Sequence, residues 1–248
     1  LAACGSSTTT FTVPVSAPNA YLLTSNDQIV GVDLDSMEFA RSVRSIPRAT
    51  TASTTTPNTL ALERDEVIQD IDYRNSEGVL YALTKLSGSG TGYIIRIDPS
   101  SGAILRVSSL VSEGPNPPPI SLNNSNYTID FDPVEDRLRV IGNNGQNLRV
   151  DVSTGETFTA TNIQSGNTIT GAAYEDSFSS ANGRESALFT LDSNADKIIE
   201  QAPDAGTQSD SKTLLVSTNV ESINGYDINP SNNTGLALLT VGGSQQFY

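Results

Sequence analysis

Short runs of alternating apolar and polar residues, separated by turn residues, repeat along this 248-residue chain. The clearest unit extends from Tyr127 to Ile163 and contains four such runs, separated by DPVED, NNGQ and STGE. The runs mix β-branched and aromatic residues with polar ones, and the breaks hold Gly, Pro, Asn or Asp, a pattern typical of strands joined by tight turns. The unit therefore predicts four consecutive strands.

The same pattern predicts further units on both sides. The first unit has predicted strands at Tyr21–Thr24, Gln28–Leu34 and Glu38–Ile46. The second spans Val67–Leu110 and again contains four predicted strands. The last unit begins at Ile223 and lacks a fourth strand.

A fourth unit and two connections complete the pattern. The fourth unit begins at Ile169–Glu175, carries a polar insertion, and has its last predicted strand at Thr213–Asn219. Arg48–Leu62 is rich in Thr and predicts an exposed loop. Glu113–Asn126 holds a run of prolines, which predicts a stiff and exposed linker.

A period of about 45 residues with four strands per unit predicts an all-β fold, a β-propeller of about five blades. One blade cannot bury both of its faces, so neighbouring blades must stack around an axis. Pairing of N-terminal with C-terminal strands would close the ring, and Phe11–Ser16 (FTVPVS) is a candidate closing strand. We expect one propeller domain at residues 21–248, after a tether at residues 1–20. Two small β-domains or an open sandwich are the alternatives.

Aspartates recur at matching positions of these units. One set lies in the first strands, and a second set lies at the ends of the strands that precede a turn. The two sets are Asp72, Asp130 and Asp227, and Asp33, Asp98, Asp151 and Asp192. An Asp at the end of a strand can accept hydrogen bonds from the backbone amides of the next turn, so a structural role is favoured over catalysis or metal binding.

Closely spaced carboxylates give an alternative interpretation. The pairs Asp33/Asp35, Asp70/Asp72 and Asp130/Asp132 have side chains that point the same way along a strand. Such pairs can help to hold a hard cation such as calcium. The chain shows no EF-hand spacing, so no cofactor is predicted and calcium is the alternative.

Charge and composition exclude several classes of function. The formal net charge is -14, from 28 acidic and 14 basic residues, and nonspecific nucleic-acid binding needs clustered Lys and Arg instead. There is no His, so a Ser-His-Asp or Cys-His mechanism is excluded within this chain. We expect Arg137, Arg139 and Arg149 to pair with nearby Asp and Glu.

The start of the chain, LAACG, is similar to the lipobox of bacterial lipoproteins, in which the cysteine becomes the lipidated N-terminus. Cys4 is the only cysteine, and a Ser/Thr-rich tether follows it. The resemblance implies a protein of the bacterial periplasm or cell surface, anchored to the membrane through Cys4. An unpaired cysteine in a frayed tail is the alternative.

The segments DYRNSEGVLYAL and YTIDFDPVEDRLRVIGNNGQNLRVDVSTGE resemble the bacterial family called domain of unknown function 4394. Its G-Q-N-L-R hallmark corresponds here to Gly145, Gln146, Asn147, Leu148 and Arg149. The resemblance extends over roughly Tyr21 to Val241, and it implies an exported, propeller-like β-fold without assigned catalytic residues.

Two main functions are consistent with these observations. The favoured one is a lipid-anchored, extracytoplasmic scaffold that binds a protein partner, for example as an accessory subunit of an electron-transfer complex in a membrane. The rival is a propeller hydrolase or lactonase that uses carboxylates and a metal. The rival predicts a central pocket with convergent carboxylates whose pKa values are raised. A surface-layer or filament subunit is a third interpretation.

Overall fold

In a computed structural model, the described part of the chain is built from 19 strands arranged as five small sheets. The structure describes residues 18–34, 38–50, 59–164, 169–175, 186–214, 216 and 219–248. Each sheet is one blade, and the strands within it follow each other as antiparallel hairpins, apart from one parallel addition. The predicted propeller of five blades is confirmed.

The first two blades come from the N-terminal part of the chain. Blade 1 has three strands in the order β1-β2-β3: β1 (Ala20–Leu23), β2 (Gln28–Asp33) and β3 (Glu38–Ser45). Blade 2 has four strands in sequence order: β4 (Glu66–Arg74), β5 (Val79–Leu86), β6 (Gly92–Ile97) and β7 (Ile104–Ser109).

Blade 3 has five strands in the order β8-β12-β11-β10-β9. Its outermost strand pairs in parallel with β12 and comes from the connection after blade 2. The strands are β8 (Val111–Ser112), β9 (Tyr127–Phe131), β10 (Leu138–Gly142), β11 (Asn147–Val150) and β12 (Glu156–Thr159).

The last two blades have four and three strands. Blade 4 is formed by β13 (Ile169–Tyr174), β14 (Leu188–Asp192), β15 (Lys197–Gln201) and β16 (Gln208–Thr213). Blade 5 is formed by β17 (Val220–Asn229), β18 (Thr234–Val241) and β19 (Ser244–Phe247). Among the described residues no helix is long and apolar enough to span a bilayer.

Apolar packing between blades forms the core. One cluster of buried side chains fills each of four junctions: blades 1 and 2, 2 and 3, 3 and 4, and 4 and 5. The first strands of blades 2 to 5 lie side by side and line the central cavity together with β1. This arrangement brings equivalent positions of different first strands together at the axis.

The blades differ from the uniform four-stranded units that the sequence predicted, because they have three to five strands. The last strand of blade 4 ends at Thr213, so the prediction of Thr213–Asn219 was wrong. The observed strand β16 (Gln208–Thr213) consists of polar residues, most of them exposed. It is the outermost strand of its blade, and an outermost strand needs no apolar face.

Leu62, predicted in an exposed loop, is fully buried between blades 1 and 2. The candidate closing strand Phe11–Ser16 lies outside the described residues.

Candidate functional site

Three aspartates from three first strands meet at the propeller axis. Asp72 lies on β4, Asp130 on β9 and Asp227 on β17. One carboxylate oxygen from each lies within 4.8 Å of the others. The sequence repeat had aligned these positions, and the stacking of blades around one axis turns that alignment into contact.

Backbone amides of neighbouring blades hold two of these carboxylates in place. Asp72 Oδ2 accepts a hydrogen bond from the Phe131 amide at 2.7 Å. Asp130 Oδ2 accepts one from the Tyr174 amide at 2.6 Å. These contacts differ from the turn role that the sequence pattern favoured, because each carboxylate connects its first strand to that of the next blade.

The fourth blade lacks a carboxylate at the matching position. Asp72 accepts a bond from the amide of Phe131, and Asp130 accepts the equivalent bond from the amide of Tyr174. Tyr174 of blade 4 is therefore equivalent to Phe131 of blade 3. The residue before it, Ala173, is then equivalent to Asp130. A methyl group therefore takes the position of a fourth carboxylate. The axis thus carries an asymmetric acidic cluster, which we call the axial triad: Asp72, Asp130 and Asp227.

The pKa values of the axial triad are all raised, although Asp130 is buried, Asp72 is half-buried and Asp227 is exposed at the cavity surface. The pKa of Asp72 rises to about 8, first through loss of solvation and then through the charge of Asp227. Loss of solvation raises the pKa of Asp227 to about 6. The pKa of Asp130 is raised well above its usual range by burial and by the charges of Asp72 and Asp227. These acids therefore differ from surface carboxylates at neutral pH.

No salt bridge to the axial triad occurs in the described part of the chain. The nearby cation Arg74 is directed elsewhere, since its guanidinium binds Asp136 and Glu77. Protons, solvent ions or a bound ligand therefore balance the negative charge at the axis.

The axial triad lines a cavity of about 750 Å³. This volume falls in the range of about 300–1,000 Å³ that is usual for small-molecule sites. Tyr21, Phe131 and Tyr226 contribute aromatic surface to its wall. The cavity therefore combines carboxylates with apolar and aromatic side chains.

A smaller cavity of about 150 Å³ adjoins the same first strands. Asp70 lines both cavities, and its Oδ2 accepts hydrogen bonds from the Ile129 amide and the Thr128 hydroxyl. Burial raises the pKa of Asp70 to about 6. In the sequence, Asp70 stands out only as the partner of Asp72 in a carboxylate pair. Its position two residues earlier on the same strand places it on the same face.

Aspartates that precede a turn have a different geometry. Asp98 Oδ1 accepts hydrogen bonds from the amide and the hydroxyl of Ser100. Asp151 Oδ1 accepts the same two bonds from Ser153. Asp192 Oδ1 accepts a hydrogen bond from the amide of Asn194. These bonds stabilise the turns after β6, β11 and β14. Asp33 is buried at the end of β2, and residues 35–37 of the following turn lie outside the described residues.

The hallmark residues lie between blades and at a turn, away from the axis. Gly145 has a φ of +92° and approaches the backbone of Ile163. Gln146 Oε1 accepts a hydrogen bond from the Tyr127 hydroxyl at 2.5 Å. Asn147 donates to the carbonyl oxygens of Thr161 and Pro203.

Arginine side chains complete the contact between blades 3 and 4. Arg149 binds Glu135 and Asp204. The fully buried Arg139 donates to the Tyr174 hydroxyl, the Asn147 side chain and Asp204. The hallmark thus fixes two blades against each other, which accounts for its polar residues without a ligand. The pairing of both arginines with nearby acids agrees with the sequence prediction.

The fold and the axial triad define a β-propeller with an acidic central cavity. Residues 42–248 match the family model described as domain of unknown function DUF4394, so the chain belongs to this family. No curated protein matches the chain.

Solved structures share the fold at low sequence identity. A GH43 β-1,3-galactosidase with galactodeoxynojirimycin aligns with a TM-score of 0.52 and 10% identity, over 86% of this chain and 76% of that chain. An exo-β-1,3-galactanase from Phanerochaete chrysosporium aligns with a TM-score of 0.50 and 11% identity, over 90% and 55%. A nidogen/laminin complex aligns with a TM-score of 0.52 and 12% identity, over 88% and 68%. These likenesses concern the fold alone.

Proposed function

We propose that the chain is a propeller hydrolase that binds a small substrate in its central cavity. The observation that carries this proposal is the axial triad, which faces a cavity of substrate size and makes no salt bridge in the described residues. A central pocket with convergent carboxylates of raised pKa is what the hydrolase hypothesis requires.

The distances within the axial triad suit a bound cation. One carboxylate oxygen of each aspartate lies within 4.8 Å of the others. Calcium binds oxygen at about 2.3–2.6 Å, so two of its ligands lie up to about 5 Å apart. Asp72, Asp130 and Asp227 therefore suit one hard divalent cation.

Three carboxylates leave further coordination positions of such a cation for water and substrate, because calcium takes about six to eight oxygen ligands. A cation held by Asp72, Asp130 and Asp227 would supply polarisation of a carbonyl oxygen. Hydrolysis of an ester or lactone then needs water to bond to the acyl carbon, the acyl–oxygen bond to break, and a proton of the water to reach the leaving oxygen. A carboxylate of the axial triad can carry that proton.

Two substrate series test the proposal on the full chain. Aryl esters and lactones, and separately aryl galactosides, are assayed with calcium and with a chelator. We expect calcium-dependent hydrolysis of the esters or lactones, with a loss of at least a hundredfold in Asp130→Asn. Asp210→Asn, at an exposed site on β16, is the control and should keep full activity. Activity that survives both chelation and Asp130→Asn contradicts the proposal, and hydrolysis of galactosides alone favours glycosidase chemistry.

The lipid anchor and the extracytoplasmic location remain predictions, because Cys4 lies outside the described residues. Mass spectrometry of the protein from native bacterial membranes should find acyl chains on Cys4. Cys4→Ser should release the protein from the membrane, and an unmodified cysteine contradicts the anchor. The scaffold with a protein partner and the surface-layer subunit also remain predictions, and co-purification in mild detergent tests the first.

A further inference from the structure

The junction between blades 5 and 1 differs from the other four. Each of the others contains a cluster of buried apolar side chains, and no such cluster joins blade 5 to blade 1 in the described part of the chain. The large cavity extends into this junction instead. We call this part of the cavity the side slot, and define it by Leu22 and Leu34 of blade 1 and Leu236, Leu238 and Phe247 of blade 5.

Strand β18 shows why the side slot is apolar. Its alternate residues Ala237, Leu239 and Val241 are buried in the cluster between blades 4 and 5. Leu236 and Leu238 lie on the opposite face, line the cavity and are only half-buried. A strand that is apolar on both faces is typical of one that is covered on both sides. An apolar group of a ligand can therefore cover the half-buried face of β18 that lines the side slot.

The side slot is continuous with the axial triad, because both line the same cavity of about 750 Å³. One end of this cavity is therefore acidic and the other end is apolar. The triad disfavours an anionic head group, and the net charge of -14 acts in the same direction. A ligand that fits both ends carries a neutral oxygen-bearing head and an apolar arm.

We propose that the substrate is a neutral ester or lactone with an alkyl or aryl arm, whose carbonyl lies at the axial triad and whose arm occupies the side slot. This inference rests on the proposed hydrolase function and adds the class of substrate.

Acyl chain length tests the side slot. For p-nitrophenyl esters from acetate to hexanoate on the full chain, we expect kcat/KM to rise about threefold to fourfold per added methylene, as burial of that group predicts. Leu238→Ala and Phe247→Ala should reduce this increase to less than twofold per methylene. Leu105→Ala, at an exposed site on β7, should leave it unchanged, and thermal unfolding identifies variants that have lost the fold.

Binding of amides separates failure of the slot from failure of the hydrolase proposal. The dissociation constants of acetamide and hexanamide are measured by calorimetry, since these analogues present a carbonyl and an arm without rapid turnover. Tighter binding of hexanamide that Leu238→Ala abolishes supports the slot even if no ester is hydrolysed. Hydrolysis that is independent of chain length in the parent and in both variants overturns the inference and leaves the hydrolase proposal standing. A preference for long chains that arises only after deletion of residues 1–16 also overturns it, because the chain itself then fills the slot.

Discussion

Asp130 shows how one residue serves both the fold and the site. Its side chain is only 6% exposed, and one oxygen binds the Tyr174 amide of the next blade. The carboxylate also lies beside Asp72 and Asp227. A carboxylate held by a backbone bond keeps a fixed orientation, which is what a ligand of a cation requires. The position therefore cannot be assigned to structure or to function alone.

Arg139 is the residue whose loss should destabilise the propeller most clearly. It is 1% exposed and binds the Tyr174 hydroxyl, Asn147 and Asp204. Arg139→Met leaves these partners without their donor, so we expect a loss of about 3 kcal/mol in the free energy of unfolding. Urea denaturation followed by circular dichroism measures it. Arg64→Met, at an exposed site, should change stability by less than about 0.5 kcal/mol, and equal effects of both substitutions contradict this account.

The sequence could align the axial aspartates but could not place them in contact. Asp72, Asp130 and Asp227 occupy matching strand positions, and that much follows from the repeat. Their separation depends on the tilt and packing of the blades, which no local pattern specifies. Asp130 and Asp151 illustrate this limit, because both occupy recurring Asp positions. Asp151 bonds within the turn that follows β11, which a local pattern can indicate. Asp130 bonds to the next blade, which a local pattern cannot indicate.

At the element scale, the turn between the last two strands of a blade packs against the preceding blade. Gly102 approaches the carbonyl of Ser45, Gly155 that of Ser109 and Gly206 that of Asn162, each with a positive φ. These contacts set the spacing between neighbouring blades. They explain why the turns PSSG and STGE contain glycine at that point.

Gly155→Ala tests this contact. A Cβ at this position meets the Ser109 carbonyl oxygen, and the φ of +79° is strained for an L-residue. We expect a loss of about 3 kcal/mol or more in stability, from the clash together with about 1–2 kcal/mol of backbone strain. Gly243→Ala has a φ of +75° and no atom within 4 Å of the added Cβ, so it measures the strain alone. Equal losses in the two variants, from thermal unfolding curves, contradict the contact.

The predicted elements succeeded where apolar alternation was strong and failed at the edges of blades. Strands β9 to β12 lie within the predicted unit Tyr127–Ile163. Strand β16 has the sequence QSDSKT, which carries no apolar alternation because its side chains are exposed. The parallel strand β8 has only two residues and is a product of tertiary pairing, so no local signal identifies it.

At the scale of the whole molecule, the acidic axis should make stability depend on pH. The pKa values of Asp72 and Asp227 are raised to about 8 and about 6, above about 3.9 in an unfolded chain. The folded state therefore binds more protons, and the stability due to these groups is complete below about pH 4 and is lost as pH rises through 6 to 8. Glu66 and Asp136 have lowered pKa values. The stability that these two acids contribute is present above about pH 4 and is lost as the pH falls below that value.

With a chelator present, the melting temperature should fall by on the order of 5 °C between pH 5 and pH 8. Calorimetric scans measure this change. Asp130→Asn should make the fall smaller, because it removes one of the repelling charges, whereas Asp210→Asn should leave it unchanged. A melting temperature that is constant or rises over this range would show that the axial carboxylates are not protonated in the folded state.

The number of blades followed from the repeat because every blade must reproduce the same apolar alternation to stack on its neighbours. The central site did not follow, since it arises where five first strands converge. The side slot was equally inaccessible, because Leu236 and Leu238 resemble the core residues of any strand. What distinguishes them is that they line the central cavity, which is a property of the assembled ring.

A calorimetric titration of the full chain with calcium at pH 8 tests whether the axial triad binds a cation. We expect one calcium ion per chain with a submillimolar dissociation constant, weaker binding at pH 5.5 because protons compete for the carboxylates, and no binding in Asp227→Asn. Equal binding by the parent chain and Asp227→Asn, or no binding at all at pH 8, would contradict the assignment of Asp72, Asp130 and Asp227 as a cation site.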